Sequence, residues 1–385
     1  MSNTNEIQQL GSRAALQVLG KTLFLFLVFN LIFILADPTA GLGRVSAYNI
    51  LFPGRSRLPY GDHPERAYNV SVLNLDAMFA SHEIAAGTKP ASEFRVLLIG
   101  DSSTWGWLLK PADTLAGQIN RARLTTADGR TVRAYNLGYP IMSLAKDVLI
   151  LDRAMRAAWQ PDAVVWLVTL ESFPADKQLF HPLLQNNPAP TRDLIARYGL
   201  KLDPNDPQFV TPSLLDRTII GRRRDLADLA RLQLYGVMWA ATGIDQDYPA
   251  DYEPAAIDLD PDDAFHGHKP PAFGDADLAF DALAAGVRAA GKTPLLIVNE
   301  PILRSNGRNS DIRYNFFYPR WAYDQYRAAM IAQATAQGWN YIDAWDLLPM
   351  SEFTNSAVHY TPAGAKLLAD RLADAVTQLG KISTP

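Results

Sequence analysis

The chain has 385 residues, of which 48% are hydrophobic and 20% are charged, and its formal net charge is -4. This composition is typical of a globular protein, and the slight acidity gives no reason to expect nucleic acid as a partner. The sequence contains no cysteine, which excludes disulfides, thiolate metal sites and a cysteine nucleophile.

The N-terminal region predicts a membrane-spanning helix. Thr22–Ala36 is an uncharged apolar run whose one strongly polar residue is Asn30, and extended back to Ala14 it covers 23 residues. Spanning a bilayer needs about 20 residues. We therefore expect residues 1–37 to form a cytoplasmic tail and a single transmembrane helix, with a cleaved signal peptide as the alternative. The basic residues on the two sides of the run nearly balance, so the positive-inside rule leaves the orientation open.

Residues 38–93 are rich in Pro, Gly, Tyr and Asn and predict a linker or collar. From residue 94 onward, apolar runs typical of buried strands alternate with helical patterns. This alternation predicts an α/β domain over residues 94–385, with a parallel sheet covered by helices on both faces. The predicted strands are Val96–Ile99, Arg133–Asn136, Ala163–Thr169, Pro294–Val298 and Trp339–Ile342, and the predicted helices are Leu115–Ala122, Leu144–Trp159, Ala276–Ala290, Trp321–Gln337 and Pro362–Gln378.

An insertion rich in Pro and Asp interrupts this alternation at about residues 174–274. Its one helical pattern, Arg222–Ala241, begins with three arginines and continues with leucines at helical spacing. A basic end that leads into an apolar stripe is typical of a helix on a membrane surface or against a partner. It also fits a helix that covers its own domain.

Three residues at predicted strand or loop ends are candidates for chemistry. Ser102 follows the first strand in Gly100-Asp101-Ser102, beside the N–H groups and positive dipole end of a predicted helix, which suits a nucleophile that generates an oxyanion. Gly138 follows the second strand, and His359 lies on the loop before the last helix. Because loops at the carboxyl ends of parallel strands form one crevice, Ser102 and His359 can meet there.

These residues resemble the sequence blocks of the SGNH (GDSL-type) hydrolases, over about residues 94–173 and 276–380. The stretch from Gly100 to Gly106 is similar to the nucleophile block of membrane-anchored members that act on cell-surface polysaccharides. The resemblance implies a three-layer α/β/α, flavodoxin-like domain. Ser102 is then the nucleophile, His359 the general base, and the backbone N–H groups of Ser102 and Gly138 bind the oxyanion.

Two blocks depart from the family pattern. Glu171 stands where the family has an asparagine that donates to the oxyanion, and Ser356, with Asn355 beside it, stands where the triad acid belongs. Asn355 or Ser356 can orient the imidazole, but neither stabilises its charged form as a carboxylate does. The acid must otherwise come from another loop, for which Glu171, Asp343 and Asp346 are candidates.

The pattern leaves two functions open. One is a membrane-anchored serine esterase or O-acyltransferase that acts on acylated cell-envelope glycan. The resemblance then implies a multi-pass membrane acyltransferase as partner, with the N-terminus inside and the bulk of the chain outside. The other is a catalytically inactive SGNH-like domain that serves as an accessory subunit of a membrane complex.

No cofactor or metal is expected. His266 and His268 alternate in an acidic loop, a pattern more typical of solvated side chains than of a metal site. Trp105 and Trp107 flank Gly106 close to Ser102. They are candidates for stacking on a sugar ring or for anchoring the turn in the core.

Overall fold

The computed structural model describes residues 2–42, 54–60, 75–242, 251–274 and 276–381. Parts of the predicted collar, residues 43–53 and 61–74, therefore lie outside the described residues. The helices and strands in chain order are α1 (Ser2–Ala36), α2 (Pro38–Leu42), α3 (Leu75–Ala80), β1 (Glu93–Ile99), α4 (Ser102–Trp105), α5 (Leu115–Ala122), β2 (Thr131–Asn136), α6 (Leu144–Arg156), β3 (Ala163–Val168), α7 (Pro182–Gln185), α8 (Pro188–Tyr198), α9 (Arg223–Thr242), α10 (Phe280–Ala290), β4 (Leu295–Asn299), α11 (Arg320–Gln337), β5 (Asn340–Asp343) and α12 (Pro362–Leu379).

The five strands form one parallel sheet in the order β2-β1-β3-β4-β5. This is the flavodoxin-like order, in which the crevice lies where the chain changes direction across the sheet, between β1 and β3. The predicted fold class is confirmed. Ser102 directly follows β1 and therefore lies at this point of the sheet.

Alternate residues of each strand enter two separate cores, because side chains alternate between the faces of a sheet. Leu97 and Ile99 pack with α6, α10 and α11 on one face. Val96 and Leu98 pack with α5 and α12 on the other face. Since both faces are covered, the central strand β3 is apolar throughout, and the domain has the three layers that the sequence predicted.

Local signals fix several helix boundaries. Thr361 caps α12 by accepting a hydrogen bond from the Gly364 backbone N–H, and Pro362 occupies the first helical position. The helix α10 is shorter than the predicted Ala276–Ala290, because the chain just before it pairs with another loop. Ala279 donates its backbone N–H to the Phe173 carbonyl at 2.8 Å, so helix begins only at Phe280.

The first part of the insertion packs into the main core. Short helices α7 and α8 carry Leu183, Leu184, Leu194 and Ile195, all buried in the cluster that α6 and α10 share. The sequence did not predict these helices because prolines at 188 and 190 suggested a loop, whereas both lie in the first turn of α8. The predicted Arg222–Ala241 helix is present as α9.

The N-terminal helix α1 contains an apolar stretch, Arg13–Ala36, whose most apolar window of 18 residues has a mean hydropathy of 2.4. By length and composition it can cross a membrane, and a signal sequence has the same properties. Asn30 is buried, and its Oδ1 accepts a hydrogen bond from the Ile219 backbone N–H at 3.0 Å. The middle of the insertion therefore contacts this helix.

Substituting Gly286 tests the packing of α10 on the sheet. An added Cβ would lie 2.1 Å from a ring atom of Trp166, which is fully buried on β3. We expect Gly286→Ala to lower the free energy of unfolding by about 1–3 kcal/mol through overpacking. Chemical denaturation of both proteins checks this.

The control is Gly87→Ala, because an added Cβ at Gly87 meets nothing within 4 Å. Equal stability of the two variants would contradict the close packing of α10 against Trp166.

Candidate active site

Ser102 begins a single helical turn at the end of β1. Asp101 caps this turn, because its Oδ1 accepts from the Ser103 N–H at 2.7 Å. Gly106 ends the turn in the left-handed region at φ 88°. The helix is therefore only four residues long, and the dipole contribution that the sequence suggested reduces to the free N–H groups of one turn.

The collar holds this turn from the other side. Arg57 is buried and donates to the carbonyl oxygens of Gly106 and Leu109, each at 2.9 Å. Trp105 donates its Nε1–H to the Leu58 carbonyl at 2.8 Å and is 5% exposed. Trp105 therefore anchors the turn in the core and is not a sugar-stacking platform.

His359 and Ser102 lie in hydrogen-bond contact, although 257 positions separate them in the chain. His359 Nε2 lies 2.8 Å from Ser102 Oγ, and its Nδ1 lies 2.8 Å from Asn355 Oδ1. An amide oxygen only accepts, so the Nδ1 carries the proton and the Nε2 is left to accept the Ser102 hydroxyl proton. This is the tautomer that a general base requires.

The imidazole is mostly enclosed. Trp107 stacks on it with ring centroids 5.8 Å apart and an angle of 21° between planes. Burial lowers the pKa of His359 to about 4. Because its partner Asn355 is neutral, no charge offsets the cost of burying the protonated form.

The carboxylates that the sequence offered as acids have other partners. Asp343 accepts hydrogen bonds from Arg327 Nη2 at 2.7 Å and Asn299 Nδ2 at 2.9 Å, so it serves an ion pair at the end of β5. Asp346 is exposed. Ser356 is buried but makes no hydrogen bond to the imidazole among the described residues. The partner of His359 is thus Asn355.

Glu171 forms a separate polar cluster. Both of its carboxylate oxygens lie 2.8 Å from His266 Nε2, and Lys177 Nζ lies 2.6 Å from His266 Nδ1. His268 contacts Asp277 at 3.2 Å instead. Among the described residues, no group of three or more His, Asp or Glu side chains is arranged to hold a metal ion. Glu171 is occupied by this cluster and supplies no oxyanion donor.

The two predicted oxyanion donors differ in their present state. The Ser102 N–H donates to no acceptor among the described residues. The Gly138 N–H donates to Asn136 Oδ1 at 3.1 Å, so an oxyanion would share this donor with the amide. Gly138 has a clear steric role, because an added Cβ would lie 2.5 Å from the Trp105 nitrogen.

Lys146 connects the loops that carry Ser102 and Gly138. It is fully buried on α6, and its Nζ donates to the carbonyl oxygens of Gly100 at 2.9 Å and Tyr139 at 2.7 Å. The same ammonium lies 2.5 Å from Asp147 Oδ1. Burial raises the pKa of Asp147 to about 6. Sequence reasoning missed Lys146, although a lysine among the apolar residues of a helix is a detectable signal.

A second buried carboxyl group lies beneath the turn that carries Ser102. Ser103 Oγ donates to Glu300 Oε2, and Tyr360 donates its hydroxyl to the same oxygen at 3.1 Å. Burial, followed by the negative charge of Asp101, raises the pKa of Glu300 well above its usual range. Glu300 directly follows β4, a strand-end position that could have marked it from sequence.

Removing the Lys146 ammonium tests its role. Lys146→Met leaves Asp147 buried without its cation and removes one donor from each of two carbonyl oxygens, so the free energy of unfolding is expected to fall by about 3–5 kcal/mol. Adding Asp147→Asn removes the stranded charge, and the double variant is expected to regain part of the loss. Thermal and urea unfolding measure both effects.

Lys366→Met is the matched control, because Lys366 pairs with Asp370 on the surface and is expected to contribute less than about 1 kcal/mol. A Lys146→Met protein as stable as this control would contradict the proposed link between the loops.

Comparison with known proteins gives matches in solved structures alone. No family model matches the chain, and no curated protein matches it. A lipolytic G-D-S-L family protein from Veillonella parvula is 11% identical, with a TM-score of 0.36, and covers 73% of this chain and 96% of its own. An aryl esterase from M. smegmatis is 16% identical (TM-score 0.33; 74% and 99% covered), and a carbohydrate acetylesterase from Sinorhizobium meliloti is 15% identical (TM-score 0.35; 74% and 99% covered). The sheet order by itself shows a flavodoxin-like α/β/α fold, in which Ser102 and His359 are in contact.

Proposed function

We propose that the protein is a membrane-anchored serine esterase or O-acyltransferase that acts on acylated cell-envelope glycan. The observation that carries the proposal is the chain of contacts from Ser102 Oγ through the His359 ring to Asn355 Oδ1. It supplies a nucleophile, a base in the required tautomer and a group that orients the base.

The reaction follows from this geometry. Ser102 Oγ attacks the acyl carbonyl carbon, and the hydroxyl proton passes to His359 Nε2. The carbonyl oxygen becomes an oxyanion next to the free Ser102 N–H, with the Gly138 N–H as the second donor. Collapse of this intermediate breaks the ester bond, and Nε2 returns the proton to the leaving alcohol. Water or a second sugar hydroxyl then takes the acyl group from Ser102, with His359 again accepting the proton.

The neutral Asn355 sets the expected rate. Asn355 Oδ1 holds the ring but stabilises the imidazolium less than a carboxylate does. Loss of triad carboxylate function in a serine protease, by Asp-to-Asn substitution, costs about 10⁴-fold in rate, although there the tautomer is also wrong. Here the tautomer is right, so we expect a slow enzyme rather than an inert protein.

Anchoring and partner belong to the same proposal. The helix α1 would hold the chain in the membrane, with the N-terminus inside and residues 94–385 outside. An acyl donor would then come from a multi-pass membrane acyltransferase next to α1. Residues 1–37, 38–93 and 94–385 would correspond to anchor, collar and SGNH-like domain.

A second function has its own support. Glu171 is engaged by His266 and not available as a donor, and His359 has no carboxylate partner. Both are features of a domain that keeps the SGNH fold without catalysis. Such a protein would be an accessory subunit of a membrane complex, and the following experiment separates the two.

The first test is covalent labelling with a fluorophosphonate probe together with p-nitrophenyl acetate hydrolysis. We expect the wild type to be labelled and to hydrolyse the ester, and Ser102→Ala to lose both signals because the attacking oxygen is gone. Ser351→Ala, an exposed serine next to the histidine loop, is the control and is expected to keep both. Equal signals from wild type and Ser102→Ala would favour the accessory subunit.

The pH profile tests the histidine. Only neutral His359 accepts a proton, and its pKa is about 4, so kcat/KM is expected to be flat from about pH 5 to 8 and to fall as pH drops through about 4. Asn355→Asp places a carboxylate next to the Nδ1–H of His359, which raises the pKa of His359. The fall of kcat/KM in acid is then expected to move to higher pH by about 1–3 units.

The same variant is expected to be at least about 10-fold faster at pH 7, because the carboxylate stabilises the imidazolium. Asn355→Ala is the matched control. It is expected to be slower than the wild type, with the acidic fall of kcat/KM at the same pH. A wild-type limb near pH 6.5, or an Asn355→Asp profile identical to wild type, would contradict the assigned base.

A further inference from the structure

The segment of residues 213–224, just before and at the start of α9, contacts the apolar helix α1. Asn30 is 6% exposed and is the one strongly polar residue of the apolar run. Its Oδ1 accepts from the Ile219 N–H at 3.0 Å, while its Nδ2 donates to the Phe26 carbonyl at 2.8 Å. A polar group in a membrane span usually marks a specific contact, and here the contact is this segment.

The contact lies below the end of the span. Asn30 is six residues before Ala36, which corresponds to about 9 Å along the helix. Close to Ile219 in the chain, the segment exposes large apolar side chains: Leu214 is 72% exposed, Leu215 is 64% exposed and Ile220 is also exposed. Apolar faces of interfacial helices are buried about 5–10 Å into the boundary between headgroups and acyl chains.

The backbone of the segment is suited to a nonpolar layer. An unpaired N–H is costly in lipid. The N–H groups of residues 217, 218, 219, 221, 222 and 223 all donate within the segment or to Asn30. Most N–H groups of the segment are therefore satisfied, although those of Leu214, Leu215 and Ile220 donate to no acceptor among the described residues.

The charges around the segment fit an anionic surface. Residues 216–231 contain five arginines and three aspartates, although the whole chain carries a net charge of -4. Arg222 and Arg231 pair with Asp225 and Asp228, whereas Arg217 and Arg224 have no partner among the described residues. A cleft of about 660 Å³ is lined by Arg223, Arg224 and Arg231 together with those two aspartates. Guanidinium groups bind phosphate oxygens in paired hydrogen bonds.

We propose that residues 213–224 insert their apolar side chains into the interfacial layer of an anionic phospholipid bilayer. The arginines at the end of this segment and beyond it then bind the lipid phosphates. This inference rests on the proposal that α1 spans the membrane, and it adds a second membrane contact. The segment is linked to the core, because the Val210 N–H donates to the Gln185 carbonyl at 2.9 Å. The second contact therefore limits the height and rotation of the domain above the bilayer.

The experiment uses the absence of cysteine in the chain. Single variants Leu215→Cys, Leu25→Cys and Leu367→Cys are labelled with the fluorophore NBD in the full chain. Each is reconstituted into vesicles of equal phosphatidylcholine and phosphatidylglycerol. Leu25 lies in the apolar run of α1, and Leu367 is exposed on α12. Quenching by doxyl-labelled lipid and by aqueous iodide is then measured.

We expect NBD at positions 215 and 25 to be quenched by doxyl lipid and protected from iodide, and NBD at 367 to show the reverse. If NBD at position 25 is protected from iodide but NBD at position 215 behaves like NBD at position 367, the second membrane contact is overturned and the proposed anchoring by α1 is retained. If 25 is also open to iodide, the membrane anchor of the proposed function fails as well. Labelling of Ser102 reports separately on the esterase proposal.

Two further variants test the contacts, each measured with the Leu215→Cys label. Asn30→Ala removes the acceptor for the Ile219 N–H and is expected to reduce doxyl quenching at 215 at least about twofold. Replacing Arg222, Arg223 and Arg224 with Gln is expected to reduce it in anionic vesicles to the level seen in pure phosphatidylcholine. Quenching at 215 that is unchanged in both variants would overturn the proposed contacts.

Discussion

The candidate site depends on one buried ammonium group. Lys146 Nζ donates to the Gly100 carbonyl, just before the turn that carries Ser102, and to the Tyr139 carbonyl, just after Gly138, and so links the loops that follow β1 and β2. The ammonium adds to a direct backbone bond between the two loops, in which the Tyr139 N–H donates to the Gly100 carbonyl at 2.9 Å. Asp147 balances the charge, and Trp166 donates to Asp147 Oδ2 at 3.1 Å, so the pair is continuous with the core under the sheet. An ion pair buried to this degree is a weak source of stability but a strong constraint on geometry.

The second feature of the site is the contact between the His359 imidazole and the neutral amide of Asn355. Asn355 satisfies the geometric half of the role that an acid has in a triad, since it fixes the tautomer and the ring. It does not satisfy the electrostatic half, and burial therefore dominates the pKa of His359. The arrangement favours a neutral imidazole over the whole physiological range. In the proposed reaction, it raises the free energy of the intermediate with a protonated imidazole, which agrees with the slow rate expected for this enzyme.

Much of the fold could be predicted from the sequence, because the signals were local. Apolar runs such as Ala163–Val168 and caps such as Thr361 predicted the strands and helices within a few residues, and the strand order placed Ser102 at the crevice. The sequence offered five candidate partners for the His359 ring and did not distinguish between them. Choosing Asn355 required the conformation of the loop before α12, which no periodic pattern encodes. Lys146 and Glu300 were missed because their roles arise from contacts with residues distant in the chain.

Glu300 has a consequence for the electric field beside Ser102. Its carboxyl group accepts a hydrogen bond from the Ser103 hydroxyl, in the same turn as Ser102. Burial raises the pKa of Glu300 well above its usual range and therefore favours its uncharged form. A negative charge at this position would oppose the negative charge that develops during the proposed attack on an acyl group. The shielding of this carboxyl group from water thus bears on the proposed chemistry through a side chain that does not touch the substrate.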